Sequence, residues 1–197
     1  MASGVLIPRP ETELIVEIAL ELMASDGRPF AVADVCTGSG CIAIAMAHER
    51  PSAQILATDI SETAVAIARR NAERHGVADR VHVVRADMLD GVDGCFDLIV
   101  ANPPYIREHE RTLLQREVRE HEPSVALFGG PKGLDLIERL VAQASAHLRP
   151  GGHLIFEFGF GQDVEVEDFI AGAPQLELVE LRRDLQGIAR TAIAARV

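Results

Sequence analysis

Four consecutive residues, Asn102-Pro103-Pro104-Tyr105, carry the most specific chemistry in the sequence. They follow a strand predicted over 96–101, at the carboxyl edge where open α/β sheets keep their active sites. The two prolines stiffen the backbone and remove two N–H donors, which leaves carbonyl oxygens as acceptors. The segment is therefore typical of a site that binds a hydrogen-bond donor.

A planar NH2 group is the donor that best matches these four residues. The Asn102 side-chain oxygen and the Pro103 carbonyl can each accept one N–H, while Tyr105 stacks on the plane. An amide nitrogen is a poor nucleophile because its lone pair is delocalised, so holding it in line with an activated group should increase its reactivity. We expect Asn102, Pro103, Pro104 and Tyr105 to bind the acceptor and to carry catalysis, without a general base.

A glycine-rich turn, Cys36-Thr37-Gly38-Ser39-Gly40, lies between a strand predicted over 31–35 and a helical run over 41–46. Gly38 and Gly40 let the backbone approach a ligand, and the helix start offers unpaired N–H groups. The run from Gly38 to Ala43 also satisfies the dinucleotide fingerprint G-x-G-x-x-G/A. The turn alone therefore does not separate an NAD site from an S-adenosylmethionine site.

Two acidic residues favour an adenosine-containing cofactor. Asp59 ends a predicted strand about 20 residues beyond Gly40, the separation at which an acid can hydrogen-bond a ribose. Asp87 and Met88 follow the next predicted strand, where a carboxylate can meet an adenine amino group and an apolar side chain can cover the ring. We place Ile60, beside Asp59, in the same cofactor site.

The elements that position these residues alternate between strands and helices, which is typical of an α/β fold with a mainly parallel sheet. Seven strands are predicted, over residues 31–35, 54–58, 81–85, 96–101, 153–158, 176–181 and 191–195. The last two predict a terminal hairpin, and Arg149-Pro150-Gly151-Gly152 predicts a turn before the fifth strand.

Helices are predicted from Pro10 to a stop at Asp26-Gly27, from the cap at Ser61 to His75 with Gly76 as the stop, and from Leu134 to Leu148. With 197 residues, the chain is long enough to bury one sizeable core. We therefore expect a single globular unit, with an N-terminal motif and helix over 1–28 packed on a catalytic domain over 29–197.

Composition narrows the function classes. The sequence has no apolar run long enough to span a membrane, and Met1-Ala2-Ser3-Gly4 does not begin a secretory signal, which favours a cytoplasmic location. A net charge of -11 works against broad contact with a phosphate backbone. The arginines between 107 and 119 alternate with glutamates, so we interpret that segment as a solvated helix face and do not expect direct nucleic-acid binding.

The cysteines and histidines do not predict a metal site. Cys36, Cys41 and Cys95 form no C-x-x-C pair, and no histidine pairs with another ligand at metal-binding spacing. We expect reduced thiols and no metal.

Motifs over nearly the whole chain resemble the HemK/PrmC family of release factor glutamine N5-methyltransferases. They are Ile7-Pro8-Arg9-Pro10-Glu11-Thr12-Glu13, the glycine-rich turn, Asp59, the Asn102 tetrapeptide, Glu122-Pro123, residues 126–130, Gly133-Leu134-Asp135, Glu157 and Gly159 with Gln162, and Arg183 to Gly187 through Arg190. Other amino-methyltransferases share the tetrapeptide, whereas the opening and closing motifs are more specific.

The resemblance implies a class I S-adenosylmethionine-dependent methyltransferase with a Rossmann-like, mostly parallel seven-stranded sheet, helices on both faces and a C-terminal antiparallel hairpin. It implies cofactor contacts at Cys36 to Gly40, Asp59, Met88 and Asn102, with the acceptor glutamine held by Asn102 to Tyr105. That glutamine would lie in the Gly-Gly-Gln loop of a peptide chain release factor. Cys36 stands where the family usually has glycine.

Members of the family usually carry a preceding helical domain, whereas this sequence begins at the motif around Arg9. Either the sequence is the catalytic domain alone, or it is a compact relative that acts on another protein. Three other functions stay open: methylation of N6 of adenine or N2 of guanine in nucleic acid, a cofactor-binding module without turnover, and an NAD-dependent enzyme.

Overall fold

The computed structural model describes residues 4–23 and 29–197. Within them, the strands are β1 Phe30–Val35, β2 Ala53–Asp59, β3 Val81–Arg85, β4 Phe96–Ala101, β5 Leu148–Glu157, β6 Leu176–Arg183 and β7 Ala189–Arg196. The α-helices are α1 Glu13–Leu22, α2 Cys41–Glu49, α3 Glu62–Arg74, α4 Arg116–His121, α5 Asp135–His147 and α6 Asp163–Gly172. Short 3-10 helices span Pro10–Thr12, Glu108–Leu113 and Ser124–Ala126.

The strands form one sheet in the order β3-β2-β1-β4-β5-β7-β6. The first five strands, β1 to β5, pair in parallel with their neighbours in the sheet. In contrast, β7 runs antiparallel to both β5 and β6. This arrangement confirms the predicted Rossmann-like sheet and its C-terminal hairpin. The chain order reverses between β1 and β4, the point at which open parallel sheets bind their ligands.

Successive side chains along the central strands enter two apolar cores. In β1, Val32 packs with residues of α1, α2 and α3, whereas Ala33 and Val35 pack with residues of α5 and α6. The alternation follows from the two-residue period of a strand, and it confirms that helices cover both faces. The apolar core that contains Val32 also contains Ile15 and Ile18 of α1, so this helix packs directly on the sheet.

Local sequence signals account for both ends of α3 and for the start of α1. The Ser61 hydroxyl accepts a hydrogen bond from the Ala64 N–H and caps α3, and Gly76 follows that helix with a φ of 68°. Pro10 begins the 3-10 turn that leads into α1. That helix ends at Leu22, and the predicted stop at Asp26-Gly27 lies outside the described residues.

Three details differ from the sequence-based expectations. The predicted turn at residues 149–152 is part of β5, where the register with β4 shifts between Phe96 and Leu98. Helix α6 was not predicted, because acidic residues interrupt its apolar spacing. The charged segment over 107–121 forms two short helices instead of one continuous helix with a solvated face.

Among the described residues, no helix has the length and apolarity of a membrane span.

Candidate active site

A pocket of about 250 Å³ opens at the carboxyl edge of the sheet, beside the reversal between β1 and β4. It brings together most of the residues singled out from the sequence: Cys36, Thr37, Gly38, Ser39, Asp59, Ile60, Asp87, Met88, Asn102 and Pro104. Four different strand ends supply these side chains, because parallel strands present their carboxyl ends at one edge.

The three remaining predicted residues, Gly40, Pro103 and Tyr105, adjoin residues that line the pocket but do not line it themselves. Gly40 precedes α2 with a φ of 82°, and a Cβ there would lie 3.1 Å from the Cβ of Ala68. Its role in the structure is therefore close packing of the loop against α3. Pro103 is buried, and Tyr105 is half-buried with its hydroxyl group directed at Glu157.

Asp59 braces the glycine-rich loop. Its Oδ2 accepts a hydrogen bond from the Gly38 N–H at 2.9 Å, and its Oδ1 accepts one from the Ser61 N–H at 2.9 Å. A carboxylate has about four lone-pair positions, so both oxygens retain capacity for hydroxyl donors from a ligand.

Asp34 supports the same loop from within the core. Its Oδ2 accepts hydrogen bonds from the Thr37 hydroxyl at 2.6 Å and from the Ala43 N–H at 3.2 Å. Burial raises the pKa of Asp34 to about 7, because the charged form loses its hydration. Sequence reasoning assigned no function to this residue, and its contacts give it a supporting one.

Two residues of the pocket have a backbone conformation that favours glycine. Cys36 has a φ of 60° and Met88 a φ of 56°. Such left-handed conformations cost roughly 1 kcal/mol or more for residues with a Cβ, and they concentrate at functional sites. Burial raises the pKa of the Cys36 thiol far above its ordinary value, so this thiol stays neutral.

Asp87 is already paired on one oxygen. An Arg139 nitrogen lies 3.1 Å from the Asp87 Oδ2 and 3.4 Å from the Asp90 Oδ2. Arg139 also lines the pocket, although no motif or spacing in the sequence singles it out. The pair orients the Asp87 carboxylate and leaves Oδ1 for a ligand donor.

Asn102 is held by a chain of hydrogen bonds that sequence reasoning missed. Its Nδ2 donates to the Thr12 Oγ1 at 3.0 Å, and the Thr12 hydroxyl donates to the Glu157 Oε2 at 2.9 Å. The Tyr105 hydroxyl donates to the Glu157 Oε1 at 2.8 Å. Thr12 and Glu157 belong to motifs of the resembled family, but only their tertiary contacts reveal a role.

Burial raises the pKa of Glu157, and hydrogen bonds from Tyr105 and Thr12 oppose the rise. Burial likewise raises the pKa of Tyr105 above its ordinary value, with a further contribution from the neighbouring Glu157 charge. The tyrosine hydroxyl is therefore a stable hydrogen-bond donor and not a base.

A second polar side chain holds the Asn102 tetrapeptide in place. Gln162 is buried; its Oε1 accepts a hydrogen bond from the Gly159 N–H at 2.7 Å, and its Nε2 donates to the Tyr105 carbonyl at 3.0 Å.

Within residues 4–23 and 29–197, no cluster of three or more His, Cys, Asp or Glu side chains could hold a metal ion.

Comparison with known proteins identifies the family. Residues 13–122 match the methyltransferase small domain. The release factor glutamine methyltransferase of Xylella fastidiosa is 46% identical over 198 residues, which cover 98% of this chain and 69% of the relative. The chain belongs to the release factor glutamine methyltransferase family.

Other members of the family show the same extent of similarity. The release factor glutamine methyltransferase of Nitratidesulfovibrio vulgaris is 45% identical over 194 residues, which cover 97% of this chain and 65% of the relative. The chain thus spans about two thirds of the length of these methyltransferases.

A solved structure of the ribosomal protein L11 methylase from Lactobacillus delbrueckii subsp. bulgaricus superposes with a TM-score of 0.70 at 26% identity. The match covers 95% of this chain and 80% of the methylase. The shared fold therefore extends over almost the whole chain.

Proposed function

We propose that this chain transfers a methyl group from S-adenosylmethionine to the side-chain amide nitrogen of a glutamine in the Gly-Gly-Gln loop of a peptide chain release factor. One observation carries the proposal: Asn102 lines the same pocket as Asp59 and Gly38, in a chain of the release factor glutamine methyltransferase family. An acceptor nitrogen held by Asn102 would therefore lie beside the cofactor.

The residues of the pocket fit S-adenosylmethionine. Asp59 keeps lone pairs for ribose hydroxyls, and the Asp87 Oδ1 is available for the adenine amino group. Ile60 and Met88 offer apolar surface for the adenine ring. When bound, this cofactor supplies an electrophilic methyl group on a sulfonium, so the chain needs no covalent nucleophile.

The tetrapeptide would orient the acceptor. The Asn102 Oδ1 and the Pro103 carbonyl each accept one N–H of the glutamine amide, which aims the nitrogen lone pair at the cofactor. Glu157 is 1% exposed and is bonded to Thr12 and Tyr105, so we assign it no role as a base. The proton leaves the nitrogen for solvent after the new carbon–nitrogen bond forms.

The surface charge supports a protein acceptor over nucleic acid. The net charge is -11. Two arginines of the basic segment form ion pairs with glutamates, Arg107 with Glu110 and Arg116 with Glu120. These pairs reduce the positive potential that a phosphate backbone would need.

We also infer that the N-terminal motif and helix act as part of the catalytic unit. Pro8 and Thr12 line the pocket, and Ile15 and Ile18 lie in the core of the sheet. The segment around Pro8 and Thr12 would then complete the cofactor site instead of belonging to a separate module.

Peptide mapping of a methylated acceptor tests the proposal. The purified chain is incubated with S-adenosylmethionine and a full-length bacterial release factor, in parallel with the same release factor carrying alanine in place of the loop glutamine. The expected result is one added methyl group on that glutamine and none on the alanine control. A methyl group found only in RNA or DNA supplied in a parallel reaction would overturn the proposal.

A further inference from the structure

A carboxamide has an oxygen that accepts hydrogen bonds and an NH2 group that donates them. Which of the two faces the pocket decides what Asn102 binds. Only the Oδ1 can accept an N–H from an acceptor amide, whereas the Nδ2 would oppose it with hydrogens of its own. Rotation of the Asn102 side chain by half a turn would therefore exchange a productive site for a repulsive one. Something must fix the rotation.

The Thr12 hydroxyl has the chemistry to do so. It has a single proton, and that proton is directed to the Glu157 Oε2 at 2.9 Å. The hydroxyl oxygen can then only accept from its other neighbour, which is the Asn102 carboxamide at 3.0 Å. An oxygen of Asn102 at this position would meet a second oxygen without a proton between them.

Glu157 is fixed in turn. It is 1% exposed, and its other oxygen accepts the Tyr105 hydroxyl at 2.8 Å. It ends β5, one residue beyond Phe156, which pairs with Ala101 immediately before Asn102. The acceptor that sets the direction of the chain of hydrogen bonds therefore lies on a neighbouring strand of the rigid sheet.

The oxygen of the Asn102 carboxamide is available to a ligand. No described residue donates a hydrogen bond to the Asn102 Oδ1, this oxygen is not among the buried polar atoms without a partner, and Asn102 is one of the residues that line the pocket. The Asn102 oxygen can therefore accept a hydrogen bond from a ligand, while the NH2 group is bonded to Thr12.

We propose that Thr12 is a positioning residue for methyl transfer. Its hydroxyl, anchored on Glu157, holds the Asn102 carboxamide with Oδ1 available to the acceptor amide. The effect on methyl transfer rests on the proposed function, whereas the orientation of Asn102 does not.

A matched pair of variants separates the hydroxyl group from the bulk of the side chain. Thr12→Val keeps the shape and removes the hydrogen bond, and Thr12→Ser keeps the hydroxyl and removes a methyl group. Thr12 is 6% exposed, so urea unfolding of both variants is measured first to show that they remain folded.

The chain provides a direct spectroscopic signal for the orientation of Asn102. It contains two asparagines, Asn71 and Asn102, so 15N-asparagine labelling gives two side-chain NH2 groups, which the Asn102→Ala variant assigns. Asn71 donates to the Ser39 carbonyl at 2.9 Å and serves as an internal control. The exchange of each NH2 group with water is measured by NMR.

In Thr12→Val, the Asn102 NH2 group should lose its protection from exchange while Asn71 keeps its own, and kcat should fall about tenfold with a cofactor Kd close to that of the wild type. Thr12→Ser should restore both readouts. Unchanged Asn102 exchange and kcat in Thr12→Val, or equal losses in both variants, would overturn the proposal. If the wild type shows protected Asn102 protons but methylates no glutamine, the proposed function fails and the positioning of Asn102 stands.

Discussion

An Arg9 guanidinium nitrogen lies 2.6 Å from the Glu122 Oε1, and this ion pair joins two walls of the pocket. Pro8 and Pro123, the neighbours of these residues, both line the pocket. The Glu122 side chain is only 3% exposed, against 34% for Arg9, and its Oε2 has no hydrogen-bond partner among the described residues. Arg9 is therefore the main compensation for a buried charge.

Replacement of Arg9 by alanine should destabilise the protein by about 2 kcal/mol, because it leaves the Glu122 carboxylate buried and unpaired. The free energy of unfolding in urea measures the loss. Arg116→Ala is the matched control, since the Arg116–Glu120 pair is largely exposed and its loss should cost less than about 0.5 kcal/mol. Equal stabilities of the two variants would contradict the assigned role of Arg9.

The left-handed conformation of Cys36 predicts a gain from glycine. Cys36→Gly should be more stable than Cys36→Ala by about 1 kcal/mol, because both lose the thiol but only glycine adopts a φ of 60° without strain. Chemical unfolding of the two variants gives the difference. If alanine is as stable as glycine at this position, the backbone there is not strained.

The single tyrosine of the chain gives an optical test of the Tyr105 environment. Burial and the Glu157 charge raise the pKa of Tyr105, so phenolate absorbance should not develop near the ordinary value of about 10 while the protein is folded. It should appear only on unfolding, because a raised folded pKa gives stability that is lost as the pH rises beyond the unfolded value. A phenolate signal near pH 10 in protein with native circular dichroism would disprove the buried contact.

The chain of hydrogen bonds requires an ionised Glu157, because both neighbouring hydroxyl groups donate to it. Methyl transfer should therefore be lost at acid pH, where Glu157 becomes protonated. Burial raises the pKa of Glu157, which also faces Tyr105, Thr12, Glu11 and Arg190. The rate should therefore be present above that raised pKa and fall as the pH drops through it, at a higher pH than for an exposed glutamate. The measurement is kcat against pH for the wild type and Glu157→Gln. An acid limb that persists unchanged in Glu157→Gln would assign the titration to another group.

The sheet could be predicted because its signals are local. Apolar runs between turn residues predicted all seven strands, and the capping chemistry of Ser61 and Gly76 predicted the ends of α3. The start of β5 could not be predicted, since Pro150 and Gly151 are typical of a turn, and the strand begins before them only because Leu148 pairs with Phe96 of β4. Long-range pairing at Leu148 and from His153 onward therefore set the bounds of the strand against the local preference for a turn.

The candidate site shows the same division. The loop glycines, Asp59 and Asn102 have residue types and spacings that predict a cofactor pocket. Thr12 lies 90 residues before Asn102, and Glu157 lies 52 residues after Tyr105. No spacing rule connects residues at such separations, so the chain of hydrogen bonds could be found only in the folded structure.

A crystal structure with bound S-adenosylhomocysteine tests most directly whether the cofactor and the acceptor-binding corner share one pocket. The product should lie along Gly38 and Asp59 with its sulfur facing the Asn102 carboxamide, whose Nδ2 should remain on the Thr12 hydroxyl. A sulfur that points away from Asn102, or a product bound elsewhere on the chain, would contradict the proposed methyl transfer.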